Sequence, residues 1–250
     1  MNIHELWDRA LFYLSVPECV SCKTKLDYGV LALCPECYSV YKKIASRNCS
    51  RCAKLLSECT CPGELLDKNR VRTVVKLFRY ISREENICAN SLIYSLKRDN
   101  RKDVLEFCVK EMVAPLKNAF SSFENVVFTN VPRRRSAIIK YGMDHAGLLA
   151  KTLAEEVGAS YMSLLKSKSR KAQKSLRRDE RIENTRFVLR SKTGQLNGKT
   201  VVVIDDVITS GASVVEAARV IRDLHPKKIA AAAIAIAYKD MYTPPLFTYY

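Results

Sequence analysis

The stretch Val201-Val-Val-Ile-Asp-Asp-Val-Ile-Thr-Ser-Gly-Ala-Ser213 decides how this chain is read. Its four leading β-branched residues predict a strand over 201–205, because such side chains suit a pleated, packed surface. Two adjacent carboxylates, Asp205 and Asp206, stand at the end of that strand. A small, hydroxyl-bearing turn follows, and a helical pattern runs over about 212–224. Strand, polar turn, then helix is the repeating element of a parallel α/β sheet.

The flanking sequence repeats the same alternation. Residues 71–81 predict a strand, and 84–98 and 101–119 predict helices, with Pro115 expected to kink or interrupt the second. A strand over 125–132 stops at Pro132. A helix over 144–157 begins on Asp144, a suitable N-cap, and ends at Gly158. Beyond the short apolar run 161–165 and a long basic loop, residues 228–238 predict a buried strand. Strands alternating with helices give a parallel sheet whose ligands sit at the strand carboxyl ends. Gly194–Thr200 is one residue short of a P-loop and precedes a strand instead of following one, so it reads as a turn. His145, a lone histidine one residue into a helix, reads as a polar residue of the first turn.

Eight of the ten cysteines fall between positions 19 and 61, as Cys19-x2-Cys22, Cys34-x2-Cys37, Cys49-x2-Cys52 and Cys59-x-Cys61. A Cys-x2-Cys turn places two thiolates on one side of a tight knuckle, and two knuckles close a tetrahedral Zn²⁺ shell. Eight thiolates suit two structural sites. Sequential pairing is the simplest arrangement, and spacing alone leaves an interleaved one open. Disulfides would want a secretory context, a redox pair would explain one Cys-x2-Cys only, and evenly spaced pairs fit zinc better than an iron–sulfur cluster. Cys88 and Cys108 fall in later helical patterns and read as core thiols. The expected organisation is an N-terminal helix and zinc ribbons over 1–65, an α/β domain over 66–240 and a tail over 241–250.

The chemistry of the opening stretch follows from its residue types. Backbone N–H groups at a helix N-terminus, with the hydroxyls of Thr209, Ser210 and Ser213, make a cradle for phosphate. Carboxylates would repel that phosphate, so they suit something donor-rich beside it, such as the vicinal hydroxyls of a ribose. A ribose 5-phosphate satisfies both. The stretch is similar to the phosphoribosyl-pyrophosphate signature of type I phosphoribosyltransferases. With the cysteine-rich front, the chain resembles the ComF family of competence-associated proteins over nearly all of residues 15–240. Pro132, Gly142 and the spacing Gln173-x2-Leu176-x4-Arg181-x2-Asn184-x2-Phe187 also carry the likeness. Family members commonly show an Arg-Gly-Phe-Asn-Gln-like run where this chain has Tyr141-Gly142-Met143-Asp144-His145.

The resemblance implies a type I phosphoribosyltransferase-like parallel sheet flanked by helices, preceded by a small Cys-rich zinc-ribbon domain. It implies that Asp205 and Asp206 bind the ribose 2′ and 3′ hydroxyls. Thr209, Ser210, Gly211, Ala212 and Ser213 would hold the 5-phosphate. Val131, Pro132, Arg133 and Arg134 would meet the pyrophosphate with Mg²⁺, and the loop around Arg170 and Lys171 would be the mobile flap. Phosphoribosyl pyrophosphate, single-stranded DNA and DNA-uptake proteins are the implied partners. No segment identifies itself as a nucleobase hood and no general base is named, so transfer to an acceptor, or service as a ligand sensor, stays open beside binding.

Composition agrees with polyanionic partners: 42 basic against 26 acidic residues give +16. Residues 166–181 carry eight basic and two acidic side chains, which suits a solvated face, a pyrophosphate flap or a track for DNA phosphates. That stretch has no aromatic side chain to stack a base. No apolar run approaches the ~20 residues of a membrane helix. Glu5, Asp8 and Arg9 interrupt any signal-like segment, so the N-terminus reads as a short amphipathic helix and the expected location is cytoplasmic.

Overall fold

The computed structural model describes residues 16–82, 84–133, 138–139, 142–168, 187–190 and 194–237. The expected N-terminal helix, Arg134, the loop with Arg170 and Lys171, and the tail lie outside the described residues.

The cysteine-rich segment is built as two similar knuckles, each opened by a single antiparallel bridge, Glu18 with Lys25 and Asn48 with Leu55. Helix α1 (Pro35–Ala45) lies between them and starts on a proline, whose missing N–H is no loss in a first turn. Helix α2 (Glu64–Lys68) follows Cys61-Pro62-Gly63 directly. Strand β1 (Val74–Arg79), helix α3 (Ile87–Arg98), helix α4 (Lys102–Ala119) and strand β2 (Val126–Asn130) come next. Then follow helix α5 (His145–Val157), strand β3 (Ser160–Tyr161) and an antiparallel pair, β4 (Leu165–Ser167) with β5 (Phe187–Leu189). Strand β6 (Thr200–Ile208), helix α6 (Ala212–Ile221) and strand β7 (Lys228–Ile236) complete the described chain.

Five strands form one parallel sheet in the order β1-β7-β6-β2-β3. This is the expected α/β architecture. Helix α5 forms where its caps place it: the Asp144 side chain accepts from Gly147 N at 3.2 Å, and Gly158 ends the helix at φ 72°. The expected break at Pro115 is absent, since α4 runs through it to Ala119. Only the bond to the Glu111 carbonyl is forfeited, near the helix end, and the ring is buried beside Met112 and Leu116.

The sheet separates two hydrophobic cores. On β6, Val202 and Ile204 enter one core with Leu92 of α3, Val104 of α4 and Leu149 of α5. Val201 and Val203 enter the other with Val214 and Ala217 of α6. The knuckles divide between them: Cys19, Cys34 and Cys37 belong to the first core, Cys49 and Cys59 to the second. The cysteine-rich segment therefore packs as part of both cores of the sheet.

Candidate functional site

Strand β6 is longer than its residue types suggest. The strand was expected to end at Asp205, but pairing with β7 continues to Ile208 opposite Ile236. Pairing with β2 stops at Asn130 opposite Ile204. Both aspartates therefore lie within the strand but past the end of β2, where the sheet opens at its carboxyl edge. Consecutive strand residues alternate faces. Asp206 accordingly shares the side of Val202 and Ile204, toward α3, and Asp205 takes the other, so the two carboxylates straddle the strand.

Asp206 is 6% exposed and is held by two cations. Lys97 Nζ of α3 lies 3.1 Å from Oδ1, and Arg133 Nη2 lies 3.5 Å from Oδ2. Oδ1 also accepts from Val207 N at 2.7 Å, and Asp205 Oδ1 accepts from Asp206 N at 2.9 Å. A buried carboxylate needs such partners to remain charged. Arg133, expected at the pyrophosphate loop, thus stands beside Asp206 at this sheet edge.

Arg133 is in turn fixed by His145. Its Nη1 donates to His145 Nδ1 at 3.0 Å, and it lies 3.4 Å from the Met143 carbonyl. A guanidinium can only donate, so Nδ1 accepts, and the ring proton sits on Nε2, donating to Asn100 Oδ1 at 2.6 Å. Burial, then the Arg133 charge, hold the imidazole below its usual range, in keeping with this neutral tautomer. His145 does stand in the first turn of α5, as expected, and is there a buried anchor, 1% exposed. Asn130, at the end of β2, donates to Asp144 Oδ2 at 3.1 Å and accepts from Tyr161 at 3.0 Å, tying the β2, β3 and α5 ends together.

Lys97 and Asn100 were not singled out from the sequence. Lys97 reads as a basic residue favouring a helix C-terminus, and nothing local shows that this helix end reaches β6.

Asp205 keeps some solvent contact, yet burial of its carboxylate, then the Asp206 charge, push its pKa up to about 8. The sign of the consequence is definite. Between the ordinary carboxylate value near ~4 and the raised one, the folded chain holds a proton that the unfolded chain has lost. Stability therefore falls as pH rises across that window and levels off above it. Asp205→Asn should show a flatter dependence than the wild type when denaturant unfolding is followed from about pH 5 to 9. Equal slopes would mean that Asp205 is already ionised throughout.

Beyond Ile208, Thr209 and Ser210 are exposed, Gly211 is buried at φ 86°, and Ala212 and Ser213 open α6. Ser210 Oγ accepts from Ala212 N at 3.3 Å, a local turn that curls the loop over the helix N-terminus. The residues expected to hold a phosphate thus lie at the start of a helix, beside the two carboxylates and on the same sheet edge as Arg133. Pro132 precedes Arg133 in the same β2 exit.

The cysteines settle into the sequential pairing. Cys19, Cys22, Cys34 and Cys37 form one cluster and Cys49, Cys52, Cys59 and Cys61 the other, with ligand atoms within 4.8 Å of one another in each. All ten cysteines are free thiols. The residues after Cys19-x2-Cys22 and Cys49-x2-Cys52, Lys23 and Ala53, take positive φ (67° and 58°), and their N–H groups return to the Cys19 and Cys49 carbonyls. This is the knuckle that presents two sulfurs on one side. Hydrogen bonding from Thr24 lowers the Cys22 thiol to about 6, whereas burial, then Cys52 and Cys59, push Cys61 up to about 12. Zn²⁺ bound there would replace the thiol protons. The donor set fits two structural Zn²⁺ ions.

Residues 142–246 match the family profile of the phosphoribosyl transferase domain. The matched stretch takes in α5, β6, the 209–213 loop, α6 and β7. Lys97, Arg133 and both cysteine clusters lie upstream of it. No curated protein matches the chain. Solved structures with similarity include purine phosphoribosyltransferase from Pyrococcus horikoshii Ot3, at 15% identity over 57% of this chain and 92% of that one, TM-score 0.33. Hypoxanthine phosphoribosyltransferase from Staphylococcus aureus matches at 10% identity over 57% and 74%, TM-score 0.37. Phosphoribosylpyrophosphate synthetase from Mycobacterium smegmatis matches at 14% identity over 65% and 53%, TM-score 0.34. The fold described above rests on its own strand order and register, not on these superpositions. No helix among the described residues is long and apolar enough to cross a membrane.

Proposed function

We propose that this chain binds phosphoribosyl pyrophosphate, or a similar ribose 5-phosphate ligand, at the carboxyl edge of β6. One observation carries the reading: Asp205 and Asp206 stand at an open sheet edge directly ahead of a loop that begins a helix. Sugar hydroxyls would be taken by the two carboxylates, and the 5-phosphate by Thr209 to Ser213. Arg133 and Lys97 would face the pyrophosphate. Mg²⁺, an oxygen-seeking ion usually carried on substrate phosphates, would supply further charge neutralisation there. Arg134 and the loop with Arg170 and Lys171 complete this reading as a cationic rim and flap. The profile match over 142–246 supports it.

The wider role we propose follows the resemblance to ComF-like proteins: a cytoplasmic ligand-binding protein acting with single-stranded DNA or DNA-uptake partners. The net charge of +16 favours such polyanions, and contact would be salt-sensitive and blind to base sequence.

Calorimetric titration with phosphoribosyl pyrophosphate and Mg²⁺ tests the central claim. One molecule should bind per chain, with a rise in melting temperature. Absence of both heat and stabilisation would overturn it. Pyrophosphate release over a panel of nucleobases then separates a transferase from a binder.

A further inference from the structure

The second cysteine cluster sits against the proposed phosphate loop through a chain of specific contacts, whereas the first does not share them. Leu66 of α2 is 0% exposed and lies against Gly211. A Cβ at Gly211 would stand 3.0 Å from Leu66 Cγ and 3.2 Å from Cδ2. Glycine at φ 86° is thus required twice over, by its backbone and by the leucine pressed on it. At the far end of α6, Arg222 donates to the Asn69 carbonyl, just after α2. The short α2 helix therefore clasps α6 at both ends, and its leucine forms the floor beneath the loop.

What places α2 is the second knuckle. Cys61 is followed at once by Pro62, Gly63 and the helix. Arg51, inside the Cys49-x2-Cys52 turn, donates to the Pro62 carbonyl at 2.7 Å and pairs with Asp67 at 3.6 Å. The other side of the knuckle is fastened to β1. Val74 N bonds to the Thr60 carbonyl at 2.9 Å. Lys76 is 0% exposed, and its Nζ meets Cys59 Sγ at 3.1 Å, the Cys61 carbonyl at 3.0 Å and the Val74 carbonyl at 3.3 Å. Three acceptors match the three N–H groups of an ammonium. That cation also suits a four-thiolate zinc site, whose net charge is negative, as an outer partner that orients a ligand.

The first cluster is fastened elsewhere. Ala32 N reaches Asp103 at 3.3 Å, Arg101 reaches the Glu18 carbonyl at 2.6 Å, and Tyr38 reaches Glu111 at 3.1 Å. All three run to the start and middle of α4, on the opposite side of the sheet.

From this asymmetry we infer that Leu66 is a positioning residue for the phosphate loop, set in place by the second zinc cluster and not by the first. The inference rests on the phosphate-binding reading of residues 209–213. Metal in the second cluster fixes Cys59 and Cys61, these fix α2, and Leu66 then holds Gly211 and the loop N–H groups in their outward arrangement.

Leu66→Ala tests it in the full metal-loaded chain, read by titration with phosphoribosyl pyrophosphate and Mg²⁺ and by amide hydrogen exchange. Affinity should fall roughly tenfold or more, as misplaced binding groups commonly cause. Exchange over residues 209–213 should quicken while the β2 amides keep their protection, and Leu66→Met should restore both. Should Leu66→Ala lose β2 protection as well, Leu66→Val carries the same comparison. Cys61→Ser should quicken loop exchange, and Cys22→Ser should leave it unchanged. Wild-type loop exchange in Leu66→Ala and Leu66→Val, or an equal response to the two cysteine variants, would overturn the proposal. A wild-type chain that binds no phosphoribosyl pyrophosphate would overturn the functional reading instead, and the exchange comparison would still decide this one.

Discussion

Stripping metal from the two cysteine clusters should release two zinc ions per chain and unfold the knuckles, taking much of the sheet's stability with them. The buried apolar residues of 16–61, such as Leu33, Tyr41, Ile44 and Leu56, join the two cores of the sheet and form no separate core, so metal binding supplies much of the knuckles' own folding free energy, on the order of 10–16 kcal/mol in isolated zinc-finger peptides. The loss would not stay local. Cys19 and Cys34 lie in the core shared with α3, α4 and α5, and Cys49 and Cys59 in the core shared with α6. Even a loss of about 5 kcal/mol should lower the melting temperature of a chain this long by roughly 10–20 °C. Calorimetry with a strong chelator and a reductant, paired with metal analysis, measures this. A chain that melts unchanged after losing its metal would show that packing alone holds the knuckles.

Asp206→Ala should abolish stabilisation by phosphoribosyl pyrophosphate and also weaken the unliganded fold. Reading the sequence alone, replacement of both aspartates by alanine would be expected to abolish ligand-induced stabilisation and leave the fold intact. The structure changes that expectation for Asp206. Its removal leaves Lys97 and Arg133 facing each other without their shared counter-ion, at 3.1 and 3.5 Å from where its oxygens stood. Breaking a fully buried pair costs about 3–5 kcal/mol. Lys97 and Arg133 keep 36% and 23% side-chain exposure, so solvent screening reduces this to about 1–3 kcal/mol. Lys97→Met should cost less, since Arg133 still answers the carboxylate. Thermal melts of each variant with and without ligand and Mg²⁺ separate the two effects. A full ligand shift in Asp206→Ala would remove Asp206 from the binding site.

The helix over α5, the Asp144 cap and the Gly158 stop were legible because capping acts within a few residues of itself. The strand–turn–helix at 201–213 and the cysteine knuckles were legible for the same reason: each is a local pattern of residue type and spacing. The strand end was misjudged by three residues, because pairing with β7 out to Ile236 is set by a partner that local propensity does not see. The sequential pairing of the cysteines was one of two arrangements that their spacing allowed, and spatial proximity chose it. His145 was legible as a polar residue of the first turn, but its ties to Arg133 and Asn100, 12 and 45 positions away, were not.

Sequence by itself determined the parallel α/β class, the strand–helix alternation around residues 201–213 and the two groups of four cysteines. Tertiary structure alone decided that Lys97 comes to Asp206, that Lys76 is buried against Cys59, and that Leu66 lies on Gly211. The physical reason is range. Capping, turn chemistry and hydrophobic period act over a handful of neighbouring residues, whereas these contacts span 17 to 145 positions and exist only once the strand order brings their elements together.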